Sequence, residues 1–259
     1  MKKTGIAGKI IIAATLILMY IPIVTVVVFS FNSGDSISQF GGFSFEWYAK
    51  LFKSMKYAGS LRNSLVVGAL SVALSAVIGS FGAVGMAARR FRGKGLFEGV
   101  ALFPIMIPEI ILGVAFLFLF STAGIGGGYT RQVAAHTTFC IPYVYLMVKA
   151  RLSDADSSVF EAARDLGAGR LRAFAMVTLP LIAPGVVSGM LISFALSFDD
   201  VIISRFLSSP GKDLLPVHIY SSLRTGLTPE TNALFTLLLL AVVMAVLGSA
   251  FIGKLRKQA

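Results

Sequence analysis

Cysteine is nearly absent from this chain. Cys140 stands alone among 259 residues, which excludes an intrachain disulfide and leaves it as a small apolar side chain within an apolar run. Histidine is almost as scarce. His136 and His218 are the two present, and neither has a second ligand at helical spacing, so no metal site is expected. No Ser/His/Asp or Cys/His arrangement suited to nucleophilic catalysis is visible, and an enzyme is not expected. A GxxxxGK[ST] loop is missing too, so the chain should not bind ATP itself. Charge is thin: 14% of residues are charged, against about 25% in ordinary soluble domains. Acids are scarcest, 12 against 23 Lys and Arg, for a formal net charge of +11. A nucleic-acid-binding chain would gather its cations on one soluble face. Here they stand in short groups between apolar stretches.

What is abundant is apolar surface. The chain is 56% hydrophobic, and its mean hydropathy is +0.84. That composition predicts an all-α membrane protein, one polytopic domain over residues 1–259. Six apolar runs are long enough, at about 20 residues per crossing, to be transmembrane helices. They lie near Ile10–Phe29, Asn63–Ala88, Gly99–Phe120, Gln132–Val148, Leu181–Phe198 and Thr231–Gly253. The first is too long for a signal peptide and lacks a following cleavage site, so it is expected to stay as a span. Orientation follows from the cations. With the amino terminus in the cytoplasm, about 15 of the 23 Lys and Arg fall on cytoplasmic segments, which places both termini inside. Two external loops are predicted, at about 31–62 and 201–230, the second with a short surface helix between Leu215 and Leu223. The first holds Phe43, Phe45, Trp47, Tyr48 and Phe52, which suit the membrane interface or, alternatively, contact with a docking partner.

Acidic residues at membrane depth are the candidates for function. Glu109 interrupts the third span just after Pro104 and Pro108. Facing lipid it costs about 2.5–3.5 kcal/mol, so it should face a cavity or another subunit, or else cap amides freed by Pro108. Asp199 and Asp200 close the fifth span, where acids oppose the helix dipole and so are not expected to serve helix stability. With Tyr143, Tyr145, Phe194 and Phe198 they offer carboxylates and ring faces for a cation path, each ring adding about 0.5–2 kcal/mol. Ordinary bundle packing also accounts for the aromatics.

A polar, basic island separates the fourth and fifth spans. Ser158 and Glu161 have capping-box spacing, Gly167 is placed to end that short helix, and Leu171, Phe174 and Val177 share one face of a second. Pro180 marks the return to the membrane. The order Glu161-Ala162-Ala163, three residues, Gly167, nine residues, Val177-x-Leu179-Pro180 resembles the EAA loop of ABC-importer permeases, with Val177 at a position usually held by Ile. A cytoplasmic hairpin with no docking role is the alternative.

The resemblance extends along nearly the whole chain. Phe29–Ser33, Trp47-Tyr48, His136–Pro142, Ser193–Asp200 and Pro229–Leu234 are similar to the polyamine branch of that family. It implies the type I ABC-importer permease fold and a multi-pass subunit of the bacterial inner membrane. It implies that the loop at about 150–180 couples the chain to an ABC ATPase dimer through Glu161, Ala162, Ala163, Gly167, Val177, Leu179 and Pro180. It further implies a second homologous permease, a periplasmic substrate-binding protein and import of spermidine or putrescine. The substrate path is expected at Glu109, Tyr143, Phe198, Asp199 and Asp200. No cofactor is expected in this chain, with ATP and Mg bound by the partner ATPase. An importer for another solute, such as ferric ion, or an ATPase-independent channel or secondary transporter, are the alternatives.

Overall fold

The computed structural model describes residues 5–36, 39–55, 57–88, 91–154, 169–226 and 228–258. These are mostly helical. No strand occurs among them, only an isolated bridge between Asn32 and Phe43. Four helices are long and apolar enough to cross a membrane, or up to five if a sharply bent pair forms one span. The chain divides into two compact units, Met1–Tyr57 with Ser221–Ala259, and Ala58–Tyr220.

The first unit contains α1 (Ile6–Phe29), α2 (Glu46–Ser54) and α11 (Pro229–Gln258). None of the residues of α1 is buried, and its side chains are apolar around the whole circumference, the pattern of a helix solvated by lipid. The segment expected to be an irregular loop at 31–62 contains α2. Its fold depends on Trp47 and Leu51, which stand one turn apart and are both buried. The Glu46–Lys50 ion pair, at 2.8 Å, lies on the exposed side. Asn32 organises the turn before it. Its Nδ2 donates to the carbonyls of Ser36 and Gln39, and its Oδ1 accepts from the Gly41 amide at 2.7 Å. The Asn32 carbonyl accepts from Trp47 Nε1 at 2.8 Å. Phe31 and Phe43 stack at 5.1 Å beside Phe45 and Tyr48. Ser54 donates to Glu230 at 3.0 Å, joining α2 to α11.

The second unit is built on α6 (Tyr129–Ser153), longer than the expected 132–148. Cys140, Val144, Tyr145 and Val148 on it are buried, as are Gln132 and His136. The helix is not among those apolar enough by composition to cross a membrane, and nine of its residues are buried. On it pack α3 (Ala58–Ala88) and α8 (Leu179–Asp199). Glycine permits the approach: a Cβ on Gly79 would stand 2.9 Å from Val144 Cβ, and one on Gly189 would stand 2.7 Å from Val144 Cα.

The third expected span is broken. α4 (Lys94–Met106) and α5 (Glu109–Thr122) meet at 105°. Ile107, which precedes Pro108, is extended at φ −87°, ψ 132°, because the proline ring disfavours the helical conformation of its predecessor. Pro180 has the opposite outcome. No break occurs there, since α7 (Arg170–Ala173) runs through a π turn at Phe174–Thr178 directly into α8. The wider turn, in which the Leu179 amide donates to the Phe174 carbonyl, precedes a residue with no amide to donate and a ring that crowds the helix. Two short helices follow, α9 (Ile202–Leu207) and α10 (Leu215–Thr225). The second matches the expected surface helix.

Candidate functional site

The bend between α4 and α5 determines where the acids stand. It makes Glu109 the first residue of α5, a position where the helix dipole favours a carboxylate. The amides of Ile111 and Leu112, two and three residues on, donate to the Pro108 carbonyl. Among the described residues no hydrogen bond engages the exposed Glu109 carboxylate. It is therefore not used to cap the amides around Pro108.

Glu109 lies on the wall of a cavity of about 80 Å³, with Phe139 and Tyr143 from α6, Leu196 from α8, Asp200 from the α8–α9 corner and Ile203 from α9. A wider depression of about 380 Å³ shares Glu109, Leu196 and Asp200 and adds Asp199. The helix break, the central helix and the α8–α9 corner thus bring three carboxylates and two aromatic rings to adjoining hollows. That combination suits a cation: carboxylates offset lost hydration, and ring faces attract it.

The adjacent aspartates differ sharply. Asp199 is exposed and has no hydrogen bond among the described residues. Asp200 is 8% exposed. Its Oδ1 accepts from the Ile203 amide at 3.2 Å, and its Oδ2 accepts from the Ser204 amide at 2.7 Å and the Ser204 hydroxyl at 2.6 Å. The expectation that neither acid serves helix stability is therefore corrected for Asp200. It does end α8, but its side chain satisfies the first amides of α9, where the dipole favours it. The spacing Asp200–Ile203–Ser204 carried that signal in the sequence.

Of the predicted path residues, Glu109, Tyr143, Asp199 and Asp200 are brought together. Phe198 is not on either wall; it stacks on Phe194 at 5.8 Å. Phe139, Leu196 and Ile203 also line the cavity and were not singled out from sequence as path residues, since apolar residues in a helix give no sign of facing a cavity.

Of the predicted coupling residues, Glu161, Ala162, Ala163 and Gly167 lie outside the described residues. Val177 is half-buried in the π turn, and Leu179 and Pro180 are exposed at the start of α8. At the end of α6 that leads toward this segment, Lys149 donates to Glu98 of α4 at 2.8 Å. No His, Cys, Asp and Glu grouping suited to a metal ion occurs among the described residues.

Comparison with known proteins places this architecture. Residues 75–256 match the family described as binding-protein-dependent transport system inner membrane component. The chain is 38% identical to the spermidine/putrescine transport system permease protein PotC of Haemophilus influenzae, over 91% of this chain and 92% of that one. It is 37% identical to the putrescine transport system permease protein PotI of Escherichia coli K12, over 86% and 82%. Among solved structures, a bacterial ABC transporter involved in the import of the acidic polysaccharide alginate aligns with a TM-score of 0.78 at 17% identity, over 95% of both chains. That likeness is one of fold. The chain is a multi-pass membrane transport component, and it belongs to the family of binding-protein-dependent transport system inner membrane components.

Proposed function

We propose that this chain is a permease subunit of an ATP-driven polyamine importer of the bacterial inner membrane, and that it forms one half of the translocation path. The observation that carries the reading is the meeting of Glu109, Asp199 and Asp200 with Phe139 and Tyr143 at adjoining hollows, in a chain similar to permeases named for spermidine and putrescine. Six helical spans cross the bilayer, counting the bent α4–α5 pair as one and α6 as another, with both termini in the cytoplasm. α6 crosses despite its polarity because helices of the same bundle surround it.

The chain works as a single permease domain beside a second, homologous permease. A periplasmic binding protein delivers the cation. Two copies of an ABC ATPase bind ATP and Mg; this chain holds no cofactor of its own. ATPase closure moves the segment of Glu161, Ala162, Ala163 and Gly167, with Val177, Leu179 and Pro180 at its far end, and switches the bundle from inward- to outward-facing. Moving such an equilibrium from 1:99 to 99:1 takes about 5.5 kcal/mol of differential binding, which ATP and the docked partners supply.

The test is uptake of labelled spermidine and putrescine by the assembled complex in proteoliposomes, comparing wild type with Glu109→Gln and Asp199→Asn. Each variant should assemble and raise KM by about tenfold, the factor that corresponds to about 1.4 kcal/mol of lost cation binding. Unchanged KM in both variants assigns the selectivity elsewhere and overturns the role of the cavity. Uptake of ferric ion instead of polyamine overturns the substrate.

A further inference from the structure

We propose that His136 is a positioning residue for the solute site: through Ser204 it fixes the Asp200 carboxylate and the corner between α8 and α9, leaving Asp199 as the carboxylate free to meet the cation. The inference rests on the cavity reading above. A buried polar chain lies behind the cavity. His136, Ser197 and Ser204 are each no more than 1% exposed, and they come from three elements: α6, α8 and α9 respectively. His136 Nδ1 meets the Ser197 hydroxyl at 2.7 Å, and Nε2 meets the Ser204 hydroxyl at 3.1 Å. Nε2 also stands 3.5 Å from Asp200 Oδ2.

The direction of every hydrogen bond in the chain follows from a count of protons. An ionised Asp200 only accepts, so the Ser204 hydroxyl donates its single proton to Oδ2 at 2.6 Å. Ser204 Oγ must then accept from His136, which places a proton on Nε2. In the neutral ring Nδ1 is left as an acceptor, and the Ser197 hydroxyl donates to it. The order is Ser197 to His136 to Ser204 to Asp200, with each donor used once and none left over. The neutral ring satisfies every one of these contacts.

The geometry has two consequences. First, Asp200 is held by two amides, one hydroxyl and the nearby Nε2, so its carboxylate cannot turn to follow a passing cation. It supplies a fixed negative wall. Asp199, one residue earlier, is free to swing. Second, the two ring nitrogens of His136, on opposite sides of the ring, span from α8 to α9 at this depth. His136 sits one layer behind the cavity: its ring packs against Phe139 at 5.0 Å, and Phe139 is itself a cavity wall. Removing a member of the chain should let the α8–α9 corner shift and change the spacing between Asp200 and Glu109 without removing a charge.

The experiment measures KM and maximal rate of spermidine uptake by the assembled complex, normalised to complex recovered, for Ser204→Ala, Ser204→Thr and His136→Gln. Ser204→Ala and His136→Gln should raise KM by about tenfold, which is about 1.4 kcal/mol, with maximal rate held within about twofold. Ser204→Thr, which keeps the hydroxyl, should restore most of the wild-type KM. Should Ser204→Ala fail to assemble, Ser197→Ala removes only the hydroxyl on Nδ1 and carries the same test, with an increase of about threefold expected, or about 0.6 kcal/mol at the same conversion. Lower recovery with an unchanged KM, or a defect that Ser204→Thr does not relieve, marks a merely structural network and overturns the proposal. Asp199→Asn and Glu109→Gln separate the two readings. If they raise KM and Ser204→Ala does not, positioning alone fails. If none of the variants raises KM, the cavity reading falls and the inference with it.

Discussion

At the scale of single residues, placement decides what a polar group does. Asp199 and Asp200 are chemically the same and adjacent, yet one is exposed and the other is bound to α9. Asn32 gives a similar lesson in the first unit. Its side chain is fully buried, and both ends of the amide are used, toward the Ser36 and Gln39 carbonyls on one side and the Gly41 amide on the other. Nothing apolar of that size reproduces this. Asn32→Ala leaves those groups in search of partners, at about 1–3 kcal/mol for each that stays buried and unsatisfied. We expect faster proteolysis between residues 33 and 45 and a lower melting temperature in detergent, with Asn32→Asp intermediate. Equal digestion rates for wild type and Asn32→Ala would show that the turn is held by its stacked rings instead. The sequence displayed Asn32 plainly, but not its partners. They follow it at uneven intervals, set by a turn whose path no periodicity describes.

At the scale of elements, small residues and breaks shape the second unit. Gly189 lets α8 lie against the backbone of α6, an approach that any side chain prevents. Gly189→Leu should force the helices apart and destabilise the unit by about 1–3 kcal/mol or more, read as a fall in melting temperature of the purified protein. Gly85, which would meet nothing within 4 Å, is the control: Gly85→Leu should melt near wild type. Equal loss in both variants would mean that the close approach at Gly189 does not set the effect, since leucine is the better helix former at either position. Elements differed in how readily they could be read. The long apolar helices α1, α3, α8 and α11 were evident because each is wrapped in apolar side chains over a full crossing length. The interruption at Glu109 was evident from Pro104 and Pro108. Its angle was not, since proline dictates that a helix stops but not where the chain goes next. α2 was hidden by its aromatics, which read as interface residues, although Trp47 and Leu51 at i and i+4 mark its buried face. The π turn before Pro180 arises from hydrogen-bond register, which leaves no compositional trace.

At the scale of the whole molecule, the polar residues are few and are spent on three tasks. They cap and join helices, as Asn63 does with Tyr129 at 2.6 Å. They line the adjoining hollows. They fill the polar stretch of sequence between α6 and α7, where Glu161-Ala162-Ala163 and Gly167 carry the resemblance to an ATPase-docking loop. On the proposed reading, the chain moves polyamines only as part of an ATP-driven assembly, not by itself. The most direct test is spermidine uptake into proteoliposomes holding either this chain alone or the full complex of two permeases, ATPase and binding protein, with and without ATP. Gly167→Pro serves as an uncoupled control. Uptake is expected from the full complex with ATP, none from the chain alone, and loss of uptake in Gly167→Pro despite normal insertion. Uptake by the chain alone, or equal uptake with and without ATP, would contradict it and identify a channel or secondary transporter.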